Sequence, residues 1–228
     1  IVASGMGTAS TGAGDPYLPF REILRMLAAD VEQKWSAGSI SHSHALRLWQ
    51  FLPHVVDTMT AHGRHLIGAF VAEEALRRRA AVHDAIDQRL LRQIDESAIQ
   101  ARSQGTLVDQ ERIFEEISDV LQALAGRQPL LLVLDDLHWA DPSSINLLFH
   151  LGRRLHESPV LILGAYRPEE IALPRAGREH PLAAPLAEFR RVFGDVWVEL
   201  DHIQPGQEQA FVDALTQLLQ QPKPNIVA

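Results

Sequence analysis

From Leu130 to Asp141 the chain reads Leu-Leu-Leu-Val-Leu-Asp-Asp-Leu-His-Trp-Ala-Asp, so that five apolar residues run directly into two carboxylates. An apolar run without alternation is the pattern of a strand covered on both faces, the usual state of a central parallel strand in an α/β sheet. Such sheets bind ligands at the carboxyl ends of their strands, which is where Asp135 and Asp136 fall. Side chains alternate across a strand, so the two aspartates do not point the same way. One can hold a metal while the other faces a water or a neighbouring strand.

The residues that follow supply the rest of a βαβ unit. Asp141 before Pro142 is an N-cap and N1 pair, and this capping role is preferred to a ligand role. Ile145, Leu148, Leu151 and Leu155 mark a helix running to about His156, and Pro159 to Tyr166 is a second buried strand. The unit is expected to be parallel and right-handed. Its second strand ends at Arg167, which places a guanidinium at the same sheet edge as Asp135.

Ahead of this unit, Ile1 to Ser4 reads as a short strand, and Gly5 to Gly14 as a flexible loop of small residues. A dinucleotide-binding turn fails on spacing, because Ser10 stands where the fingerprint needs its third Gly or Ala. A nicotinamide-dependent oxidoreductase is therefore a weak alternative. Asp15 and Pro16 open a helix with Phe20, Ile23, Leu24, Leu27 and Val31 on one stripe, and Tyr17, Phe20 and Trp35 are expected as core anchors.

A helical insertion is expected over about 36–107. It has Leu46, Leu48, Trp49, Phe51 and Leu52 before Pro53, and Leu76, Ile86, Leu90 and Ile94 in one longer helix. His42, His44, His54, His62, His65 and His83 are expected to be solvated or hydrogen-bonded, since no carboxylate-rich ligand set accompanies them. Arg77 to Arg79 reads as a solvated face. Asp109 starts a helix through Ile113, Ile117, Val120, Leu121 and Leu124 that Gly126 ends. After a loop over Gly177 to Pro185, a helix is expected from Leu186 to Phe193, a strand from Asp195 to Leu200 and a last helix from Pro205.

Composition excludes several functions. The net charge of −8 provides no electrostatic reason for this segment to bind nucleic acid, and the absence of cysteine removes disulfides and thiol metal sites. No apolar run approaches the roughly 20 residues of a membrane span, so a cytoplasmic protein is the expectation.

The Leu130 to Asp141 stretch resembles the Walker B segment of P-loop ATPases. Its extension through His138, Trp139 and Asp141 narrows the resemblance to the signal-transduction (STAND) branch of AAA-like ATPases, large bacterial regulators often fused to output or sensor domains. Gly14 to Leu24 resembles the segment after the second strand of the same family. The resemblance implies an α/β fold with a parallel P-loop NTPase-type sheet in the order 5-1-4-3-2, and residues 1–228 as a partial AAA-like ATPase domain. It further implies ATP and Mg²⁺ as cofactors, Asp135 as a metal ligand, and Asp136 as the residue that orients or activates the attacking water. Arg167 would be sensor 1, reading the terminal phosphate with a planar fork of donors. Its alternative is an ion pair with Glu169, Glu170 or a Walker B aspartate. Nucleotide-dependent self-association and output or sensor domains outside this chain belong to the same implication.

The phosphate cradle is not in the sequence: neither lysine, Lys34 nor Lys223, lies in a Gly-rich turn. The expectation is a first strand and P-loop ahead of Ile1, with residues 1–228 alone poorly stable and negligibly active as an ATPase. The alternative function is a pseudo-ATPase that serves as a protein-interaction scaffold.

Overall fold

A computed structural model describes residues 1–8, 15–86, 88–103, 109–172, 179–194, 196–198 and 213. Three parallel strands form the sheet in the order β1-β2-β3: β1 (Val2–Met6), β2 (Leu130–Asp135) and β3 (Val160–Gly164). Leu130, Leu132 and Leu134 of β2 are buried on one face, while Leu131 and Val133 on the other are only part-buried, so the cover expected on both faces is complete on one of them. The register pairs Met6 with Asp135 and Leu134 with Gly164, so all three strands end at one edge.

Between β1 and β2 the chain is helical: α1 (Leu18–Ala28), α2 (Val31–Ser36), α3 (His42–His62), α4 (Leu66–Ala69), α5 (Glu73–Ala81), α6 (Gln88–Ser103) and α7 (Gln110–Ala125). The helix α8 (Pro142–Arg154) makes the crossover from β2 to β3, and α9 (Pro168–Ala172) follows β3. Residues 1–183 make one compact unit and 184–228 a second. Within the second unit Arg191 and Glu188 of α10 (Ala183–Phe193, its first residue belonging to the first unit) form an ion pair, and Arg190 lies 5.1 Å over the Trp197 ring.

The two sheet edges differ. Along β1 the outward backbone groups are occupied by helix side chains: Ser4 N–H donates to Met26 Sδ, Met6 N–H donates to a Glu22 carboxylate oxygen at 2.8 Å, and His44 Nε2 meets Val2 O at 2.9 Å. The strand β3 is not the second buried strand expected from its apolar run: it is the outer strand, no described strand pairs with its far side, none of its residues is buried, and Leu161 and Leu163 are 37% and 38% exposed. Such an edge presents backbone donors and acceptors to any further strand.

Several expectations change with packing. The helix begins at Leu18 instead of Asp15, because Tyr17 is held left-handed at φ 65° with its ring buried against Phe70 and Phe114. The α1 stripe of Phe20, Ile23, Leu24 and Leu27 is buried as read. Trp35 is not a core anchor: the chain breaks at Ala29 and Asp30, α2 leaves the phase of that stripe, and Trp35 is 49% exposed beside His42. A turn at His83 to Ile86 divides the single long helix expected here into α5 and α6. Arg79 is not on a solvated face. It is buried, donating from Nε to Glu32 at 3.0 Å, and burial lowers its pKa against the opposing pull of Glu32.

The helix α3 continues through Pro53. Proline has no N–H, so Trp49 O loses its helical donor. His83 replaces that donor, with Nε2 at 3.1 Å from Trp49 O while its Nδ1 accepts from Ala85 N–H. His65 is likewise engaged, with the Glu116 carboxylate on its Nδ1 and its backbone N–H. The helix α10 starts at Ala183, within the expected loop. Of the expected strand at Asp195 to Leu200, only Val196 to Val198 are described and they form no strand; the last helix lies outside the described residues apart from Asp213.

Candidate functional site

The site is built at the carboxyl end of β2. Asp135 is the last residue of that strand and is exposed, with Oδ1 accepting the N–H of Asp136 at 2.9 Å. Its carbonyl accepts from Gly7 N–H at 2.9 Å, which extends the pairing of β1 with β2 past the strand end. Asp136 then turns into the left-handed region, φ 50° and ψ 42°, a conformation that non-glycine residues rarely adopt and Asp tolerates better than most. Leu137 N–H donates to Ala165 O, and Ala165 N–H to Leu134 O, so the turn is tied to the end of β3.

Two glycines allow this close approach. A Cβ on Gly7 would lie 2.4 Å from Asp136 O, and one on Gly164 would lie 2.7 Å from a Leu137 methyl. Gly5 is also a packing residue: it lies within β1, where a Cβ would meet Pro19 O at 1.9 Å. These glycines are therefore fitted against backbone or core, and the part of the expected loop over 9–14 lies outside the described residues.

After a tight turn over Leu137–Trp139, Asp141 caps α8, its Oδ1 accepting from Ser143 N–H at 2.9 Å and Ser144 N–H at 3.1 Å. Asp141 thus has the capping role, and its Oδ2 also holds the N–H of Tyr17. Burial raises the Tyr17 phenol pKa, and the nearby Asp141 charge adds to the effect.

Arg167 is exposed just beyond the end of β3, at the edge where β2 ends in Asp135. Among the described residues no carboxylate is within ion-pair distance of its guanidinium, so the alternative pairing with Glu169, Glu170 or a Walker B aspartate is not formed. The parallel register thus brings Asp135, Asp136 and the Arg167 segment to one edge. Sequence reasoning passed over Gly7 and the ring of His138; spacing does not show which glycine faces which backbone.

The AAA ATPase domain profile matches residues 21–163, which is well over half of the chain. The chain belongs to the AAA ATPase domain family. The match spans α1 to β3, including both aspartates, and ends ahead of Arg167. No curated protein and no solved structure matches. Membership makes this AAA ATPase domain a nucleotide-binding ATPase module with the α/β fold that its parallel sheet displays. No described helix is long and apolar enough to cross a membrane.

Asp135 is a residue of this AAA ATPase domain that could hold a metal ion. Among the described residues no cluster of three or more histidines and carboxylates could hold an ion by itself. Asp135 instead offers one exposed carboxylate whose Oδ2 has no described protein partner. Magnesium ordinarily keeps one or two carboxylates and completes its octahedron with phosphate and water oxygens.

Proposed function

We propose that this AAA ATPase domain binds Mg-ATP at the carboxyl edge of its sheet, hydrolyses it, and acts as the switch of a multidomain signalling or transcriptional regulator. The observation that carries the reading is the left-handed turn at Asp136, which follows a strand-end Asp135 directly. Two adjacent carboxylates are thereby available for separate tasks. Asp135 would hold Mg²⁺, Asp136 would orient the attacking water, and Arg167 would meet the terminal phosphate. Held by Asp135, the metal would supply positive charge that offsets charge developing on the phosphate oxygens.

The sheet supports the same reading. The order β1-β2-β3 corresponds to the 2-3-4 part of the family's expected 5-1-4-3-2 order, and β1 has the sealed edge that an outermost strand needs. The far side of β3, which no described strand pairs, is where the phosphate-loop strand would pair. In this arrangement Mg-ATP favours one conformation, hydrolysis releases it, and the differential affinity drives output from fused domains.

The test is a titration of the full-length natural protein with ATP, with and without Mg²⁺, followed by single-turnover hydrolysis. Asp135→Ala is expected to weaken the Mg²⁺-dependent part of binding. Asp136→Asn is expected to slow hydrolysis on the order of a hundredfold with a smaller effect on affinity, the scale of a lost general base. Unchanged binding and turnover in both variants would make the aspartates structural, whereas a wild type that neither binds nor hydrolyses Mg-ATP would leave a scaffold as the surviving function.

A further inference from the structure

The buried ring of His138 has no role in the site as described so far. His138 is 1% exposed in the turn between Asp136 and the α8 cap, and its carbonyl is held by buried His180, whose Nε2 donates at 2.9 Å. The donor assignment follows from the other His180 nitrogen, Nδ1, which accepts Leu182 N–H at 3.1 Å. The backbone of His138 is therefore anchored. Its ring is not symmetrically satisfied: Nε2 lies 3.7 Å from Asp136 Oδ1, while Nδ1 is buried with no partner among the described residues.

Buried side-chain nitrogens are nearly always hydrogen-bonded, so a ring with one bare nitrogen needs a reason. With its single proton on Nε2, the neutral imidazole aims a donor at the Asp136 carboxylate. With the proton on Nδ1, a buried N–H would be stranded and a lone pair would face a carboxylate. The backbone of Asp136 is already held by the Leu137–Ala165 hydrogen bond and by the close approach of Gly7, which leaves its side-chain rotamer as the remaining freedom. Among the described residues no side chain other than His138 is within pairing distance of that carboxylate.

We propose that His138 is a positioning residue whose Nε2–H holds the Asp136 carboxylate in the orientation that receives the attacking water. The inference rests on the reading of Asp136 proposed above. At 3.7 Å the contact is longer than a hydrogen bond. Catalytic hydrogen bonds are commonly long in the free protein and tighten in the complex.

Two substitutions in the full-length natural protein separate positioning from packing. His138→Leu fills the space without a donor, and His138→Gln carries an amide N–H to about the reach of Nε2. Single-turnover hydrolysis of Mg-ATP is expected to slow on the order of tenfold in His138→Leu, with nucleotide Kd unchanged, and to recover most of that loss in His138→Gln. Equal losses in both variants, or a loss confined to Kd, would make His138 structural and overturn the proposal. Nitrogen NMR of histidine-labelled wild type is an independent readout that does not depend on either variant folding. It is expected to show the Nε2–H tautomer at His138, with its resonance displaced by Asp136→Asn; the Nδ1–H tautomer would overturn the proposal. The control separates the two levels: unchanged turnover in Asp136→Asn removes the functional reading and this inference together. Slowed turnover in Asp136→Asn with normal turnover in His138→Leu removes this inference alone.

Discussion

The backbone N–H of Tyr17 donates to Asp141 Oδ2 at 3.2 Å, joining residues 124 positions apart. Asp141 caps α8 with its other oxygen, and Tyr17 is the left-handed residue from which α1 starts. One carboxylate therefore sets the entry of two helices. It also links the two stretches that separately suggested the family, since the chain on either side of Tyr17 is the Gly-Asp-Pro-Tyr-Leu-Pro phrase and Asp141 closes the Asp-Asp-Leu-His-Trp-Ala-Asp phrase.

Asp141→Ala removes the cap and strands the partly buried Tyr17 N–H. A cap is worth about 1 kcal/mol and an unsatisfied buried donor about 1–3 kcal/mol, so a loss of about 2–3 kcal/mol is expected. Asp141→Asn keeps an acceptor for α8 and should lose less than half as much. Urea unfolding with an unchanged slope measures both; a loss no larger than that of an ordinary surface substitution would show that the junction contributes nothing.

Gly5→Ala would set a methyl 1.9 Å from Pro19 O, a backbone atom that cannot swing aside. Separating β1 from the start of α1 should cost about 3 kcal/mol, the upper range of overpacking. Gly38 has φ 72° and open space around it, so Gly38→Ala should cost only the left-handed strain of about 1–2 kcal/mol. Thermal melts of the two variants decide the order, and a Gly38 variant as damaged as the Gly5 variant would contradict the packing of β1 on α1.

His83→Ala leaves Trp49 O without a donor and should cost about 1–2 kcal/mol. Pro53→Ala restores a backbone N–H to that carbonyl. In the Pro53→Ala background the His83→Ala substitution should therefore cost less, by an interaction on the order of 1 kcal/mol in a double-mutant cycle. The ring contact of His83 with Trp49 is lost in both backgrounds and cancels. Strict additivity would mean that the histidine does not compensate for the proline.

Burial of His150, followed by the neighbouring Arg154, lowers its pKa below the ordinary 6.5, and Nε2 is buried with no partner among the described residues. The unfolded chain then takes up the proton first as pH falls. The associated stability is present above pH 6.5 and is lost as pH drops through the folded-state pKa. His150→Gln should flatten this part of the pH dependence, so the wild type loses more stability than the variant on acidification. Chemical denaturation across that range checks it, and parallel curves would refute the assignment.

The sequence alone carried the elements whose pattern is local. The apolar run of β2, the Asp141-Pro142 start of α8 and the Asp109 to Gly126 limits of α7 all stand where periodicity and capping chemistry put them, and the run of β3 forms its strand there without being buried. Each depends on residues within one or two turns of one another, so spacing is enough. The shared sheet edge of Asp135, Asp136 and the Arg167 segment also follows from two parallel runs joined by a helix.

Tertiary packing decided the rest. The break at Ala29 and Asp30 turned Trp35 outward, Arg79 was drawn into the interior by Glu32, and Gly5 and Gly7 became points of backbone approach instead of a mobile loop. The left-handed turn at Asp136 depends on Ala165, some thirty residues away, and the anchoring of His138 on His180, further still. A one-dimensional pattern states which residues are apolar and which can cap, because those are properties of a residue and its near neighbours. Which polar atom meets which backbone group is set only when distant segments close against each other, and the carboxylates, histidines and glycines around the β2 end take their roles from that closure.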